Sequence, residues 1–403
     1  MLPTLKPVAV ATPDRLREAV SQFMSIEDMT LGEGKDFAVR FRGHLVMEST
    51  QAYALAAESF RPLGYTPLFR KDGEAHAVLA VAGTINPTPS RIWINYLMFG
   101  LTVLSVAWTG ANYSSGATTL PSSALEWLSF LAAGWPFVVT MLGILLAHEL
   151  GHYFAARYHK VAVTLPYFIP FPLSPFGTMG AFIQLKAPPT NRRVLLDIGV
   201  AGPFVGLVVA VPVLIYGLLT SPVGPLPRVL APGDALQMEG NSILYVAAKL
   251  LVFGQLLPVP ASFGNLPPLV YMLRYYVLGL PAPLGGTDVM LNSVAWAGWA
   301  GLLVTGLNLI PAGQLDGGHA LYVLVGKRAR LLLPVIIVVL LALGFVWSGW
   351  WLWAAIIYFL GRTYAEPLDQ ITELDPTRKL VAILALVVFV LVITPVPLSI
   401  IQR

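Results

Sequence analysis

Long apolar segments are the feature that most constrains how this chain can fold. From residue 92 onward, several are long enough to cross the ~30 Å hydrocarbon core of a membrane. We expect spans at residues 92–112, 134–157, 193–218, 289–309 and 380–400, and a tight pair at 331–346 and 349–362 that is short for spanning helices and could be re-entrant. Because helices and closed barrels are the structures that satisfy their backbone in lipid, the sequence predicts a polytopic α-helical membrane protein of about 6–7 spans.

The distribution of charge divides the chain in two. Charged residues make up only 11% of the 403 residues, against ~25% in soluble domains. Residues 1–91 nevertheless carry 20 of the 46 charged side chains. We therefore expect a soluble module at residues 1–85, followed by a membrane-embedded domain at residues 86–403. A net charge of +4 without a long basic tract argues against a nucleic-acid partner.

The first 85 residues have the pattern of a small α+β module. Helical spacing of apolar residues occurs in 13–24 and 51–62, whereas 36–42, 64–70 and 75–82 are typical of strands. This pattern predicts a small sheet with two helices. It contains no nucleophile, metal cluster or phosphate-binding loop, which favours a regulatory or docking role with a partner that the sequence does not identify.

Basic residues indicate how the chain is oriented in the membrane. They cluster after the second predicted span, after the fourth and before the last, at Arg157, Lys160, Lys186, Arg192, Arg193, Lys327, Arg328, Arg330, Arg362, Arg378 and Lys379. Short cytoplasmic loops carry an excess of Lys and Arg. We therefore expect a multi-pass protein of the cell membrane, most simply a bacterial inner membrane, with the N-terminal module in the cytoplasm.

A His-Glu-Leu-Gly-His motif lies at the end of the second predicted span. His148 and His152 are four residues apart, so on a helix they share one face and can hold one metal ion. Glu149 follows His148 directly and is close enough to act as general base on an attacking water. Ionisable residues are costly in membrane segments and usually functional. This favours a metal centre over two structural histidines beside an interfacial glutamate.

A catalytic zinc ion needs a third protein ligand and an open coordination position. The chain has no cysteine, so the ligand must be His, Asp or Glu. Asp316 is the candidate, because it follows the fourth predicted span on the same side as His152 and precedes two glycines that would let the backbone pass close to a metal. Asn308 is a candidate for binding substrate or orienting a ligand, and a structural role suits it as well. We expect His319 to support the site or to have a structural role, rather than to be a fourth ligand.

These two motifs, in this order, resemble those of the site-2 proteases, a family of intramembrane zinc metalloproteases. The resemblance covers roughly residues 130–330. It implies that His148, His152 and Asp316 ligate one zinc ion per chain and that Glu149 is catalytic. It also implies hydrolysis of peptide bonds within or near transmembrane segments of membrane-protein substrates.

Two further stretches resemble one branch of that family. Residues 176–182 and 191–203 are similar to the subgroup shared by bacteria and plastids, which carries a soluble N-terminal module. The predicted module at residues 1–85 agrees with this assignment.

Residues 161–187 are apolar but contain several prolines, so they cannot form one spanning helix. We expect a membrane-embedded β-hairpin with arms at about 161–170 and 179–186. Its free edge could bind an unwound substrate segment by strand addition, with Gly177 and Gly180 allowing close backbone approach. A structural re-entrant loop is the alternative.

Three further expectations concern structural residues. Arg193 and Asp197 are four residues apart and are expected to pair at the start of the third span. Asp288, at the start of the fourth span, is expected to be solvated. The small residues between Gly199 and Gly206 are typical of close helix packing in lipid.

Two functional classes follow from the sequence. The first is an intramembrane zinc metalloprotease. The second is a proteolytically inactive scaffold or a metal transporter that retains the fold. A transporter would carry polar residues along a path through several spans, whereas the ionisable residues of this chain concentrate at one depth, which favours the protease.

Overall fold

The computed structural model describes residues 13–32, 36–115, 121–231, 233 and 235–402. The chain is mostly helical, with several small sheets. The helices are α1 (Pro13–Ser21), α2 (Ser49–Phe60), α3 (Ile92–Ser115), α4 (Ala124–Ala133), α5 (Trp135–Tyr158), α6 (Arg192–Leu219), α7 (Ile243–Phe253), α8 (Pro268–Leu278), α9 (Ser293–Asn308), α10 (Asp316–Val325), α11 (Ala329–Leu343), α12 (Gly349–Leu360) and α13 (Pro376–Val392). The strands are β1 (Met24–Leu31), β2 (Val39–Leu45), β3 (Tyr65–Asp72), β4 (Ala75–Ala82), β5 (Tyr167–Pro170), β6 (Thr178–Phe182), β7 (Val223–Pro225), β8 (Ala235–Glu239), β9 (Thr287–Val289) and β10 (Leu398–Gln402).

Three of the described helices, α3, α5 and α6, are long and apolar enough to cross a membrane. The other predicted spans are also helical but shorter, and the predicted span 380–400 is helical only as far as Val392. Pro395 and Pro397 cannot continue a helix, and the chain beyond them forms β10, which pairs with β8.

Helices α5, α6 and α9 pack closely around the largest apolar core. The closeness depends on small residues, because an added Cβ at Gly298 would lie 2.6 Å from the backbone of Leu214, and one at Gly217 would lie 2.3 Å from the backbone of Ala295. Small residues at such contacts let helix backbones approach each other. The large rings of Phe137 and Trp299 fill the remaining space between the helices.

The described part of the N-terminal module is a four-stranded antiparallel sheet in the order β1-β2-β4-β3, with α1 and α2 packed on it. Its core contains the buried rings of Phe23, Phe41, Phe60 and Phe69. A sheet with two helices was expected from the sequence, whereas strand β1 was not. Residues 1–12 and 33–35 of the predicted module lie outside the described residues.

A segment distant in sequence completes this module. Residues 366–375, which we call the strap, join α12 to α13 and run along strand β3. Leu368 and Ile371 of the strap belong to the core of the module. The strap therefore fastens the module to the helical region.

Two expectations about charged side chains are wrong. Asp197 does not pair with Arg193 but accepts hydrogen bonds from Arg378, Nε to Oδ1 at 2.9 Å and Nη2 to Oδ2 at 2.7 Å. Arg193 Nε instead donates to the backbone oxygen of Glu373 at 2.9 Å. Asp288 is not solvated but 3% exposed, and its Oδ1 lies 4.0 Å from Nζ of the buried Lys249. In each case the partner comes from a distant part of the chain.

Candidate metal centre

Helix α5 carries two histidines of the site on one face. His148 and His152 stand one helical turn apart, and their Nε2 atoms are 3.2 Å from each other. Both side chains are buried, with 4% and 7% exposed. Their separation follows from the geometry of a helix, in which residues i and i+4 lie one above the other.

Asp316 reaches the same point from the start of α10. Its Oδ2 lies 3.4 Å from Nε2 of His148 and 3.4 Å from Nε2 of His152. The tight approach of this helix depends on glycine, because a Cβ at Gly317 would lie 1.9 Å from the backbone oxygen of Leu309. The turn between α9 and α10 thereby places a carboxylate opposite the imidazoles.

The three ligand atoms have the separations that a small metal ion requires. They lie 3.2–3.4 Å apart, and bonds of about 2.0–2.1 Å in a tetrahedral zinc site place neighbouring ligand atoms roughly 3.3 Å apart. Nδ1 of His152 donates to the backbone oxygen of Ile198 at 2.7 Å. This bond fixes the tautomer in which Nε2 carries a free lone pair toward the metal. The residues therefore fit a zinc ion, and this group can hold one.

Helix α6 packs against the imidazole rings through glycines, which have no side chain. An added Cβ would lie 2.1 Å from His152 Nε2 at Gly202, 3.1 Å from His148 Cβ at Gly206, and 3.0 Å from His319 Cβ at Gly199. The small-residue run predicted to serve helix packing therefore also makes room for three histidines.

A cavity of about 210 Å³ adjoins the ligand atoms. Glu149 lies in its wall and is only 5% exposed. Another part of the wall comes from the end of strand β6 and the residue after it, through Ala181, Phe182 and Ile183. A buried carboxylate, a metal-binding group and the end of a strand thus face one cavity.

The predicted substrate-binding residues fall in different places. Asn308 lines the cavity, and its Nδ2 lies 3.3 Å from His148 Nε2. Gly177 has a φ of +72° and packs against α3, where an added Cβ would lie 2.7 Å from Val106 Cα. Gly180 has a φ of +101° and no described atom within 4 Å of an added Cβ. Neither glycine lines the cavity.

Some cavity residues were missed by sequence reasoning. Phe182 and Ile183 follow Gly180 by two and three positions, and Gln314 precedes Asp316 by two. These residues are neighbours of the predicted motifs in the sequence, which is the one signal that could have indicated them. An apolar or amide side chain alone does not indicate a site. His319, expected to support the site, also lines the cavity, one turn of α10 beyond Asp316.

Two helical histidines, an aspartate from a second helix and an adjacent buried glutamate form the kind of centre that zinc peptidases use. The chain belongs to peptidase family M50, whose sequence model matches residues 136–346, slightly more than half of the chain. This confirms the resemblance to the site-2 proteases. The matched range contains His148, Glu149, His152 and Asp316.

Curated plant relatives carry zinc metalloprotease names. The chain is 29% identical over 330 residues to "Probable zinc metalloprotease EGY1, chloroplastic" of Arabidopsis thaliana, covering 77% of this chain and 55% of the relative. It is 30% identical over 334 residues to the protein of the same name in Oryza sativa subsp. japonica, covering 77% and 52%. It is 28% identical over 334 residues to "Probable zinc metalloprotease EGY2, chloroplastic" of Arabidopsis thaliana, covering 82% and 54%. The chain thus spans about half the length of these relatives. No solved structure matches it.

Proposed function

We propose that this chain is an intramembrane zinc metalloprotease that hydrolyses peptide bonds within or near transmembrane segments of membrane proteins. The observation that carries the proposal is the triangle of His148, His152 and Asp316 ligand atoms, 3.2–3.4 Å apart, beside the buried Glu149. Membership of family M50 and the names of the plant relatives support the same reaction class.

Each residue has a distinct role in this proposal. His148, His152 and Asp316 hold zinc, which when bound polarises the carbonyl under attack and activates water. Glu149 removes the proton from the attacking water and passes it to the leaving amine. Nδ1 of His152 keeps its bond to Ile198, so that the imidazole stays oriented through the reaction.

The hairpin supplies the substrate subsite. A helical substrate hides its peptide bonds, so the segment to be cut must first become extended. Among the described residues, strand β6 pairs with β5 on one edge and with no strand on the other. We propose that substrate adds to this free edge, next to the cavity wall at Phe182 and Ile183. Asn308, close to His148, hydrogen-bonds the substrate backbone.

The proposed setting is a membrane that the chain crosses 6–7 times. Helices α3, α5 and α6 provide three spans, and α9, α11, α12 and α13 provide the shorter ones. The hairpin lies at membrane depth, where its backbone is tolerated because it borders a cavity. The basic clusters support a location of the N-terminal module in the cytoplasm of a bacterial cell, or on the corresponding side of a plastid membrane.

The test is Glu149→Gln, which preserves size and removes the base. We expect cleavage of a model membrane substrate to fall by about 10²–10⁴-fold while bound zinc stays at one per chain. Glu126→Gln on α4 is the matched control and should cleave as the unsubstituted chain does, because Glu126 lies outside the cavity. Undiminished cleavage by Glu149→Gln would refute the assignment. Zinc flux through reconstituted protein without proteolysis would favour the transporter instead.

A further inference from the structure

The strap is the middle element of a small backbone ladder between the N-terminal module and the helical region. On one side, Phe69 N donates to Leu368 O at 2.9 Å and Gln370 N donates to Phe69 O at 3.1 Å. On the other side, Asp369 N donates to Thr190 O at 2.7 Å. Asp369 thus forms parallel bridges with both Phe69 and Asn191. Movement of the module would therefore act directly on residues 189–191.

The Asp369 side chain holds the strap in this position. It is fully buried and accepts hydrogen bonds from Ser49 Oγ at 3.0 Å, from Ile371 N at 2.7 Å and from Thr372 N at 3.2 Å, and also from Thr372 Oγ. Ser49 opens helix α2 of the module. A single carboxylate thus binds the module and shapes the turn of the strap. A buried carboxylate with several donors is costly to replace, because each donor would lose its partner.

Residues 189–191, which the strap contacts, are connected along the chain to the metal centre on both sides: through helix α6 after them and through the hairpin before them. Asn191 caps helix α6, since its Oδ1 accepts from Val194 N at 3.0 Å. Two turns into α6, Ile198 O accepts the hydrogen bond from His152 Nδ1. In the other direction, Leu185 bridges to Val163 in the hairpin and lines the cavity. A shift of residues 189–191 would therefore change both the orientation of His152 and the position of the hairpin.

Three side chains lie at the same junction, two bonded to the strap backbone and one in an exposed ion pair that contributes little stability. Arg70 Nη1 donates to Leu368 O at 2.7 Å, and Arg193 Nε, at the start of α6, donates to Glu373 O at 2.9 Å. Lys71 of the module forms an exposed pair with Glu373 of the strap at 2.8 Å. The module thus contacts both ends of this ten-residue segment, and α6 contacts the end at Glu373.

We propose that the N-terminal module controls the geometry of the active site through the strap, with Asp369 as the positioning residue. The position of the module then affects the rate of catalysis, because any displacement of the module moves the start of α6 and the hairpin arm together. This inference rests on the proposed proteolytic function. It assigns the module a mechanical role in place of an unidentified docking role.

The test is Asp369→Ala in the full chain, with cleavage kinetics, bound zinc and backbone amide exchange measured together. We expect kcat to fall by about tenfold or more, KM to change by less than threefold, and zinc to remain bound. The backbone amides at positions 368 and 369, which donate to Pro189 O and Thr190 O, and the amides of the hairpin should exchange faster, while those in the module core stay protected. Glu373→Gln, which removes only the exposed pair with Lys71, is the control and should change kcat by less than twofold.

Covalent rescue separates positioning from damage to the fold. The chain has no cysteine, so Lys71→Cys with Glu373→Cys can be joined by a short bismaleimide. We expect the crosslink to restore most of the kcat lost in Asp369→Ala. An unchanged kcat in Asp369→Ala, or a loss that the crosslink does not reverse, would overturn the proposal. If the unsubstituted chain cleaves nothing, the proposed function fails, and amide exchange at positions 368 and 369 still tests the strap.

Discussion

Replacing Gly202 by Ala should destroy the metal centre without touching a ligand. The added Cβ would lie 2.1 Å from His152 Nε2, 2.3 Å from Cδ2 and 2.5 Å from Cε1. Carbon contacts are normally about 3.5–4.0 Å, so the ring would have to move by more than ~1 Å. The ring cannot yield easily, because Nδ1 is bonded to Ile198 O and the helix fixes the Cα.

A movement of this size disrupts the ligand triangle, whose sides are only 3.2–3.4 Å. Loss of partners outside the ligand set typically costs 10–100-fold in metal affinity. Displacing a ligand itself should cost more, so we expect zinc affinity to fall by more than about 100-fold in Gly202→Ala. Gly206→Ala offers a graded comparison, since its Cβ would lie 3.1 Å from His148 Cβ and 3.2 Å from Nδ1. A shift of a few tenths of an ångström relieves that contact, and a loss of about tenfold or less should result.

The matched control is Gly143→Ala on α5, where no described atom lies within 4 Å of the added Cβ. This variant should bind zinc normally and unfold at the same or a slightly higher temperature, because Ala favours a helix by up to about 1 kcal/mol over Gly. Zinc affinity is measured by competition with a chelator on purified full-length protein, alongside thermal unfolding. Equal zinc affinity in Gly202→Ala and Gly143→Ala would refute this description of the site.

The remaining predictions concern a buried charge cluster and the hairpin. Burial raises the pKa of Glu239 to about 7 from its ordinary 4.5, next to Asp288 and Lys249. The folded state therefore binds more protons than the unfolded state between these values, and thermal unfolding should show stability falling as pH rises from about 4.5 to 7, by on the order of 3 kcal/mol. Glu239→Gln should flatten this dependence, and an equally steep profile in the variant would contradict the assignment. Gly177→Ala should slow cleavage by about tenfold with zinc retained, because it strains a φ of +72° and pushes the hairpin from α3; cleavage at the unsubstituted rate would show that this turn does not position substrate.

The part of the site that sequence could predict is the part encoded locally. The helical spacing of His148 and His152 predicts a shared metal site, and Glu149 was predicted because it directly follows His148. Asp316 could be proposed because it is an acidic residue between an apolar segment and two glycines. Phe182 and Ile183 could not be recognised in this way, because their role depends on where the hairpin lies in three dimensions.

The same reasoning explains which parts of the fold were missed. Alternation and helical spacing predicted most elements of the N-terminal module, since both are local patterns. The strap at residues 366–375 has no such pattern, and its strand-like bonds form with Phe69 and Thr190, far away in the chain. Asp288 was expected to be solvated because its partner, Lys249, lies in a separate short apolar helix. Pairing over such distances leaves no periodic signal in the sequence.

Gly202 shows how one position can serve packing and chemistry together. Within helix α6 its backbone lies one turn after Ile198, so the carbonyl of Ile198 points along the helix toward it. A side chain at position 202 would cover that carbonyl as well as strike the imidazole of His152. Its absence therefore lets the ring approach the helix and lets Nδ1 reach a carbonyl oxygen that has a second lone pair to offer. The small-residue run predicted to serve helix packing is thus also the surface that orients His152, the proposed metal ligand. This is why Gly202→Ala should affect zinc binding before it affects the fold.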